Sequence, residues 1–223
     1  MPKITQVEQQ KKNPRRFNIY LDGQFAFGVD EDLVVNHRLL VGKEISLDDL
    51  PKLLFEGEVG FLMSRMYGLF SRRQRTEKEV RDYLRNLSFK RKLKEQEEIS
   101  EIVIENLIEK LKQKGLVNDP QFAQAWMESR RKSKKKGVNA IKTELYQKGI
   151  NRDIITETLE DTSTEDEEKL AKEALDKKLK AWKNLSEVEF KKKALEFLVR
   201  RGFEYSVAKD TIENYLKLEY NNS

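Results

Sequence analysis

The 223-residue chain has no cysteine and a single histidine, His37. The first absence excludes disulfide frameworks, thiolate catalysis, zinc ribbons and iron–sulfur clusters. The second excludes a His-rich metal centre. Proline is scarce, and three of the four prolines (Pro2, Pro14, Pro51) fall near the start. No run of about 18 apolar residues occurs, and the Met1-Pro2-Lys3-Ile4 start lacks a hydrophobic signal segment. A soluble, cytoplasmic protein without membrane contact is expected. Apolar residues make up 38% of the chain, little for one large core at this length, so several small cores along an elongated body are expected.

Catalytic constellations are also missing. Gly57-Glu58-Val59-Gly60 lacks the strand–turn context and the Lys-Ser/Thr of a phosphate loop. His37 lies in the polar stretch Val35-Asn36-His37-Arg38 and reads as a surface residue, because His activates a nucleophile only when a third group holds it. Asp30-Glu31-Asp32 lacks the alternating spacing of a calcium loop and reads as charge at a helix N-terminus, as does the acidic run Glu165 to Glu168. The expectation is a protein that is not an enzyme and needs no cofactor.

What the chain does have is charge, 44 Lys+Arg against 39 Asp+Glu. The net +5 is unevenly placed: residues 1–56 carry −1, 57–118 carry +4, 119–160 carry +3 and 161–223 carry −1. The basic excess sits in clusters: Arg72, Arg73 and Arg75; Arg81 and Arg85; Lys90 to Lys94; and a run from Arg130 to Lys136 interrupted only by Ser133. Such runs are commonly solvated helix faces, so their place in the fold decides their meaning.

The first segment reads as β. Ile4 to Val7 and Phe17 to Leu21 are strand-like, and Asp22-Gly23 before Gln24-Phe25-Ala26-Phe27 is a type I′ hairpin signal. Beyond Pro51 the pattern is helical. Thr76 to Glu79 and Ser186 to Glu189 are capping boxes. Ile99, Val103, Ile104, Leu107, Ile108 and Leu111 follow helical spacing and stop before Gly115. Asp119-Pro120 restarts a helix with Asp119 as N-cap and carries Phe122, Ala123, Trp126 and Met127 on one side. Trp126 and Trp182 read as core residues rather than as base-stacking platforms.

Sliding the sequence on itself reveals a repeat. At an offset of 53, Leu145, Gly149, Ile150, Ile154 and Leu159 fall on Leu198, Gly202, Phe203, Val207 and Ile212. At an offset of 61, Val80 and Leu84 fall on Ile141 and Leu145. With about ten residues around Ser88 to Glu97 removed, Ile99, Val103, Ile104 and Ile108 fall on Ile150, Ile154, Ile155 and Leu159. The expected architecture is mainly α: a β-rich extension (1–56), then three-helix repeats over 57–117, 118–163 and 164–223 in an elongated, curved array. At the offset of 61 the run Arg130 to Lys136 falls on residues 69–75, so two consecutive repeats carry basic residues just before their second helix. The third replaces them with Lys183-Asn184-Leu185-Ser186-Glu187-Val188-Glu189. Two adjacent basic connections would make a stripe suited to a phosphate backbone or an extended acidic partner.

Arg73-Gln74-Arg75-Thr76-Glu77-Lys78-Glu79-Val80 with Leu84, then Gly115 to Ala123, then Arg130, Gly137, Ile141, Glu144-Leu145 and Lys148-Gly149-Ile150, resemble the RecX regulatory proteins of bacteria. The resemblance runs from about residue 60 to the C-terminus. The β-rich segment resembles the extension of members from low-GC Gram-positive bacteria. One departure stands out: where the later repeats have Lys148-Gly149 and Arg201-Gly202, the first has Asn86-Leu87-Ser88 followed by an insertion. The resemblance implies a non-enzymatic modulator of the RecA recombinase. Such a protein would lie along the groove of the RecA filament on single-stranded DNA and impede strand exchange, ATP turnover, co-protease activity or filament growth. A long, elongated body that spans a filament needs no self-association, so a monomer is expected. Taken with the repeat argument, Arg72, Arg73, Arg75, Arg130, Arg131, Lys132, Lys134, Lys135 and Lys136 are the residues expected to meet DNA phosphates or an acidic RecA surface. Two rival readings stay open at this stage, a helix-turn-helix regulator of duplex DNA and a helical scaffold for a protein unrelated to DNA.

Overall fold

The computed structural model describes residues 1–182 and 184–220, so Lys183, at the start of the third-repeat connection, lies outside the described residues. The chain divides into two compact units. The first comprises Met1–Arg75 and Val80–Val117, the second Thr76–Glu79 and residues 118 onward. Among the described residues there are ten α-helices and one three-stranded antiparallel sheet, and 63% of the chain is helical.

The first unit begins with β1 (Ile4–Gln10), β2 (Asn13–Leu21) and β3 (Gln24–Asp30), in that order across the sheet. The β2–β3 hairpin turns at Asp22 and Gly23, with φ of 49° and 83°, the two positive values a type I′ turn demands. Alternation along β2 sends Ile19 inward, with Phe27 and Val7 opposite it on the neighbouring strands. Ile4, Ile19, Phe27, Val29, Leu39, Ile45 and Leu53 make a small core there. Asp30 caps the short α1 (Glu31–Asn36) by accepting the Leu33 amide at 2.9 Å, the predicted use of that acidic run. Helix α2 (Leu50–Phe70) faces the sheet with Leu53 and Gly57. A Cβ on Gly57 would lie 2.9 Å from the Gly28 carbonyl, so the absent side chain lets helix and strand approach. Farther along, α2 turns Val59, Leu62 and Met66 to a second core shared with α3 (Glu77–Lys92) and α4 (Glu101–Gln113). At the departure from the repeat, α3 runs unbroken through Asn86-Leu87-Ser88. Buried Ser88 accepts the Ile99 amide at 3.0 Å, tying the returning chain to the helix.

The second unit holds α5 (Asp119–Ser129), α6 (Val138–Gln147) and α7 (Arg152–Glu160), followed by α8 (Thr164–Trp182), α9 (Glu187–Arg200) and α10 (Tyr205–Tyr220). Each trio closes on its own apolar cluster, Phe122, Ala123, Ile141, Leu145, Ile150 and Ile155 in one, Leu175, Phe190, Ala194, Phe197, Leu198 and Phe203 among others in the next. The predicted capping box at Ser186 is complete, with Ser186 and Glu189 each serving the other's amide. The predicted N-cap of α5 is off by one residue. Asn118, in extended conformation, caps the helix by accepting the Gln121 amide at 2.9 Å, and Asp119 instead accepts the Glu77 amide at 3.0 Å.

The two glycines matched by the repeat offset share a geometry. Gly149 and Gly202 follow α6 and α9 with φ of 78° and 89°. The turn containing Gly202 offers the carbonyls of Arg201 and Gly202 to the amides of Gly137 and Asn139, each at 3.0 Å. These are orphan donors of the first turn of α6, which lacks a side-chain cap. The Lys148-Gly149 turn meets the first turn of α3 likewise, with Thr76 Oγ1 donating to the Lys148 carbonyl at 2.8 Å. A Cβ on Gly149 would overlap the Lys78 side chain, and one on Gly202 the Ala140 backbone. Glycine is therefore required twice at each turn, for left-handed φ and for contact.

Candidate nucleic-acid interface

Arg72, Arg73 and Arg75 occupy the irregular connection after α2 in the first unit. Arg72 is exposed, Arg73 donates to the Gln74 carbonyl at 2.9 Å, and Arg75 is half-buried with Nε unpartnered. The neighbouring clusters are largely consumed by ion pairs. Arg81 grips Glu105 through both terminal nitrogens at 2.6 and 2.8 Å, Arg91 meets Glu58 at 2.7 Å, and Lys92 meets Glu98 at 2.8 Å.

In the second unit, Arg130–Lys134 form one π-helical turn at the end of α5, and Lys135, at φ 50°, breaks it before Gly137 caps α6. This irregular turn spreads a run of cations around the backbone instead of presenting one face. Arg130 Nε contacts Glu144 at 2.7 Å with its guanidinium 3.9 Å above the Trp126 ring, and Lys136 pairs with the other oxygen of Glu144. The Trp126 indole donates to Glu144 at 2.7 Å and the ring stacks on Phe122, which gives Trp126 its predicted place against the core. Burial works against charge on Glu144, but Lys136, Arg130 and Trp126 together hold its carboxyl below the ordinary value.

Arg131 reaches α8 and pairs with Glu167 at 2.7 Å, while Lys135 pairs with Glu173. Glu167 belongs to the acidic run read as helix-end charge. It is buried, its second oxygen accepts the Val138 amide at 3.0 Å, and burial pushes its carboxyl up. Four of the six predicted cations in this run are therefore partnered within the unit. Lys132 and Lys134 are exposed and form no ion pair among the described residues.

Lys134 opens onto a groove of about 350 Å³ lined by Lys134, Lys136, Lys178, Phe197, Arg200 and Arg201. Lys178 and Arg201 flank the Phe197 ring at 5.8 and 4.7 Å, and Arg201 also donates to the Lys134 carbonyl. Among the described residues, none of Lys134, Lys178, Arg200 and Arg201 forms an ion pair. Burial and the adjacent Arg200 charge pull Arg201 down from its usual value. Four uncompensated cations around one concavity give it a positive field, the sign that attracts phosphates. Lys178, Arg200 and Arg201 escape a sequence search for basic runs, because they come from α8 and the end of α9 and meet Lys134 only in the folded unit.

The fold and this surface define a class, a tandem three-helix-repeat protein with a β-sheet extension and a basic groove. The chain belongs to the RecX family of regulatory proteins. Residues 2–46 match the regulatory protein RecX N-terminal domain, 118–159 the RecX second three-helix domain and 165–212 the RecX third three-helix domain. The regulatory protein RecX of Bacillus subtilis is 36% identical over 222 residues, covering 100% of this chain and 79% of that protein. That of Listeria monocytogenes is 30% identical, covering 93% and 73%. A crystal structure of regulatory protein RecX superposes with a TM-score of 0.71 at 28% identity, over 96% of this chain and all of that one. RecX from Lactobacillus salivarius gives 0.62 at 26% identity, over 72% and 97%. Among the described residues no helix is long and apolar enough to cross a membrane.

Proposed function

We propose that this chain regulates the RecA recombinase by binding the RecA–single-stranded DNA filament, and that it inhibits strand exchange, ATP turnover and co-protease activity without catalysing a reaction itself. The observation that carries the reading is the groove of unpaired cations at Lys134, Lys178, Arg200 and Arg201. Membership of the RecX family supplies the partner. In this reading Lys132, Lys134 and the groove meet DNA phosphates or acidic filament surface, with Arg72, Arg73 and Arg75 as a second contact. Arg130, Arg131, Lys135 and Lys136 build the surface through Glu144, Glu167 and Glu173.

The test is inhibition of RecA's single-stranded-DNA-dependent ATPase across a salt series, with the wild type and a Lys134→Glu/Arg200→Glu variant that leaves every ion pair above intact. The variant should need at least tenfold more protein for half-inhibition. Its binding should lose about 1.4 from the slope of log affinity against log salt, about 0.7 for each phosphate contact removed. An unchanged midpoint and slope would remove the groove from the interface. Site-specific binding to duplex DNA without RecA would favour the helix-turn-helix reading instead.

A further inference from the structure

We propose that the third repeat (α8–α10) is the template on which the basic connection of the second repeat is set, and that buried Glu167 is the positioning residue on which polyanion binding at the groove depends. The inference rests on the reading of that groove as the filament contact and adds what holds it in shape. Helix α6 has Gly137 at its N-cap and no side-chain cap of its own. The amides of Gly137, Val138 and Asn139 nevertheless all find acceptors, and every acceptor belongs to the third repeat. Gly137 donates to the Arg201 carbonyl, Val138 to Glu167 Oε2 and Asn139 to the Gly202 carbonyl, each at 3.0 Å. The preceding turn is held from the same side. Arg131 meets the other oxygen of Glu167 at 2.7 Å, Lys135 pairs with Glu173, and the Lys134 carbonyl accepts from the Arg201 side chain.

Helix α9, the counterpart of α6 in the third repeat, caps itself through Ser186 and Glu189. Helix α6 instead takes its acceptors from outside its own repeat, so the course of the chain from Arg131 to Asn139 is set by α8 and the turn after α9. Among the described residues Glu167 is the one buried acid, 7% exposed. A buried ion pair contributes little net stability, because desolvation offsets the attraction, and a well-packed apolar residue would serve the core as well. What the carboxylate adds is direction. Its two oxygens fix Arg131 and Val138 at once, and the exposed, unpaired Lys132 and Lys134 lie on the chain between these two anchors. Lys134 faces Lys178 across the groove, and Lys178 stands on the same helix as Glu167, so one acid sets the spacing of two cations.

The experiment measures inhibition of RecA's single-stranded-DNA-dependent ATPase across a salt series by the full chain carrying Glu167→Gln or, as a charge control, Glu165→Gln at an exposed position of the same helix. Both substitutions make the chain more positive, which by long-range electrostatics alone favours a polyanion. The amide introduced by Glu167→Gln accepts through its oxygen only, so either Arg131 or Val138 loses its partner. Glu167→Gln should therefore need about fivefold more protein for half-inhibition, and Glu165→Gln no more than the wild type. The slope of log affinity against log salt should fall by about 0.7 in Glu167→Gln, one phosphate contact, although no cation has been removed. Partial unfolding would raise the midpoint at every salt and leave the slope unchanged. Added to Lys134→Glu/Arg200→Glu, Glu167→Gln should cost nothing further, because it acts through the groove. Glu173→Gln removes a more exposed ion pair that the fold can lose, should weaken inhibition about twofold, and covers the case in which Glu167→Gln does not fold. Inhibition by Glu167→Gln at or above the wild-type level, an unchanged slope, or an additive loss in the groove variant would overturn the positioning role, as would wild-type inhibition by Glu173→Gln where Glu167→Gln does not fold. If Lys134→Glu/Arg200→Glu is impaired, those results leave the groove reading standing, whereas a groove variant that inhibits like the wild type overturns both.

Discussion

Glu144 collects two cations and an indole on one carboxylate, and it shows why a basic run cannot be read locally. The cations from Arg130 to Lys136 look alike in the sequence, yet the acids that neutralise four of them lie 8 to 38 residues downstream on α6 and α8. Nothing in the spacing of Glu144, Glu167 or Glu173 announces this, because the π-helical turn decides which side chain points where. The pairing has a pH signature. The folded state holds Glu144 below its ordinary 4.5, so its contribution is fully present above that value and disappears as pH falls through the lower folded value. The urea midpoint of the second unit should therefore drop below about pH 4.5. The Trp126 indole N–H resonance, reporting the bond to Glu144, should move over the same range. Glu144→Gln should flatten that titration and cost about 2 kcal/mol at neutral pH, because it leaves Arg130 and Lys136 without their partner. An indole resonance that titrates unchanged in the Gln variant would show that another group is responsible.

At the scale of elements, the recurrent device is a glycine turn seated on the first turn of a preceding helix. Sequence comparison finds Gly149 and Gly202 in register but cannot say why a third glycine, Gly115, behaves differently. All three have positive φ. A Cβ on Gly115 would meet nothing within 4 Å, whereas one on Gly202 would strike the Ala140 backbone. Gly115→Ala should cost only the left-handed penalty, about 1–2 kcal/mol. Gly202→Ala adds overlap at a junction where two amides of α6 find their acceptors, and should cost about 3–5 kcal/mol in all. Urea unfolding of the two variants measures the difference, and equal losses would mean that the turn does not need close contact. The same comparison explains the one-residue error in capping α5. Asn118 and Asp119 are equally good caps by composition, and only the demand of the Glu77 amide for Asp119 separates them.

At the scale of the molecule, the modest apolar content and the offsets of 53 and 61 made the three-helix repeats and the β extension legible, because helical periodicity and hairpin chemistry are local properties. The basic groove was not legible, because it gathers residues from elements far apart in sequence. Four separate apolar clusters replace a single core among the described residues, and each is small enough that its loss need not melt the whole chain. Phe203 is 2% exposed in the cluster of α8–α10. Phe203→Ala should cost about 3–5 kcal/mol there. If the clusters open separately, amide exchange in α8–α10 should accelerate by a hundredfold or more, since each 1.4 kcal/mol is tenfold. Amides of β1–β3 should exchange at their wild-type rates, because the Ile4–Leu53 core contains none of the residues that lose contacts. Equal acceleration in the sheet would show instead that one cooperative transition spans the chain, and the several small cores would then act energetically as one.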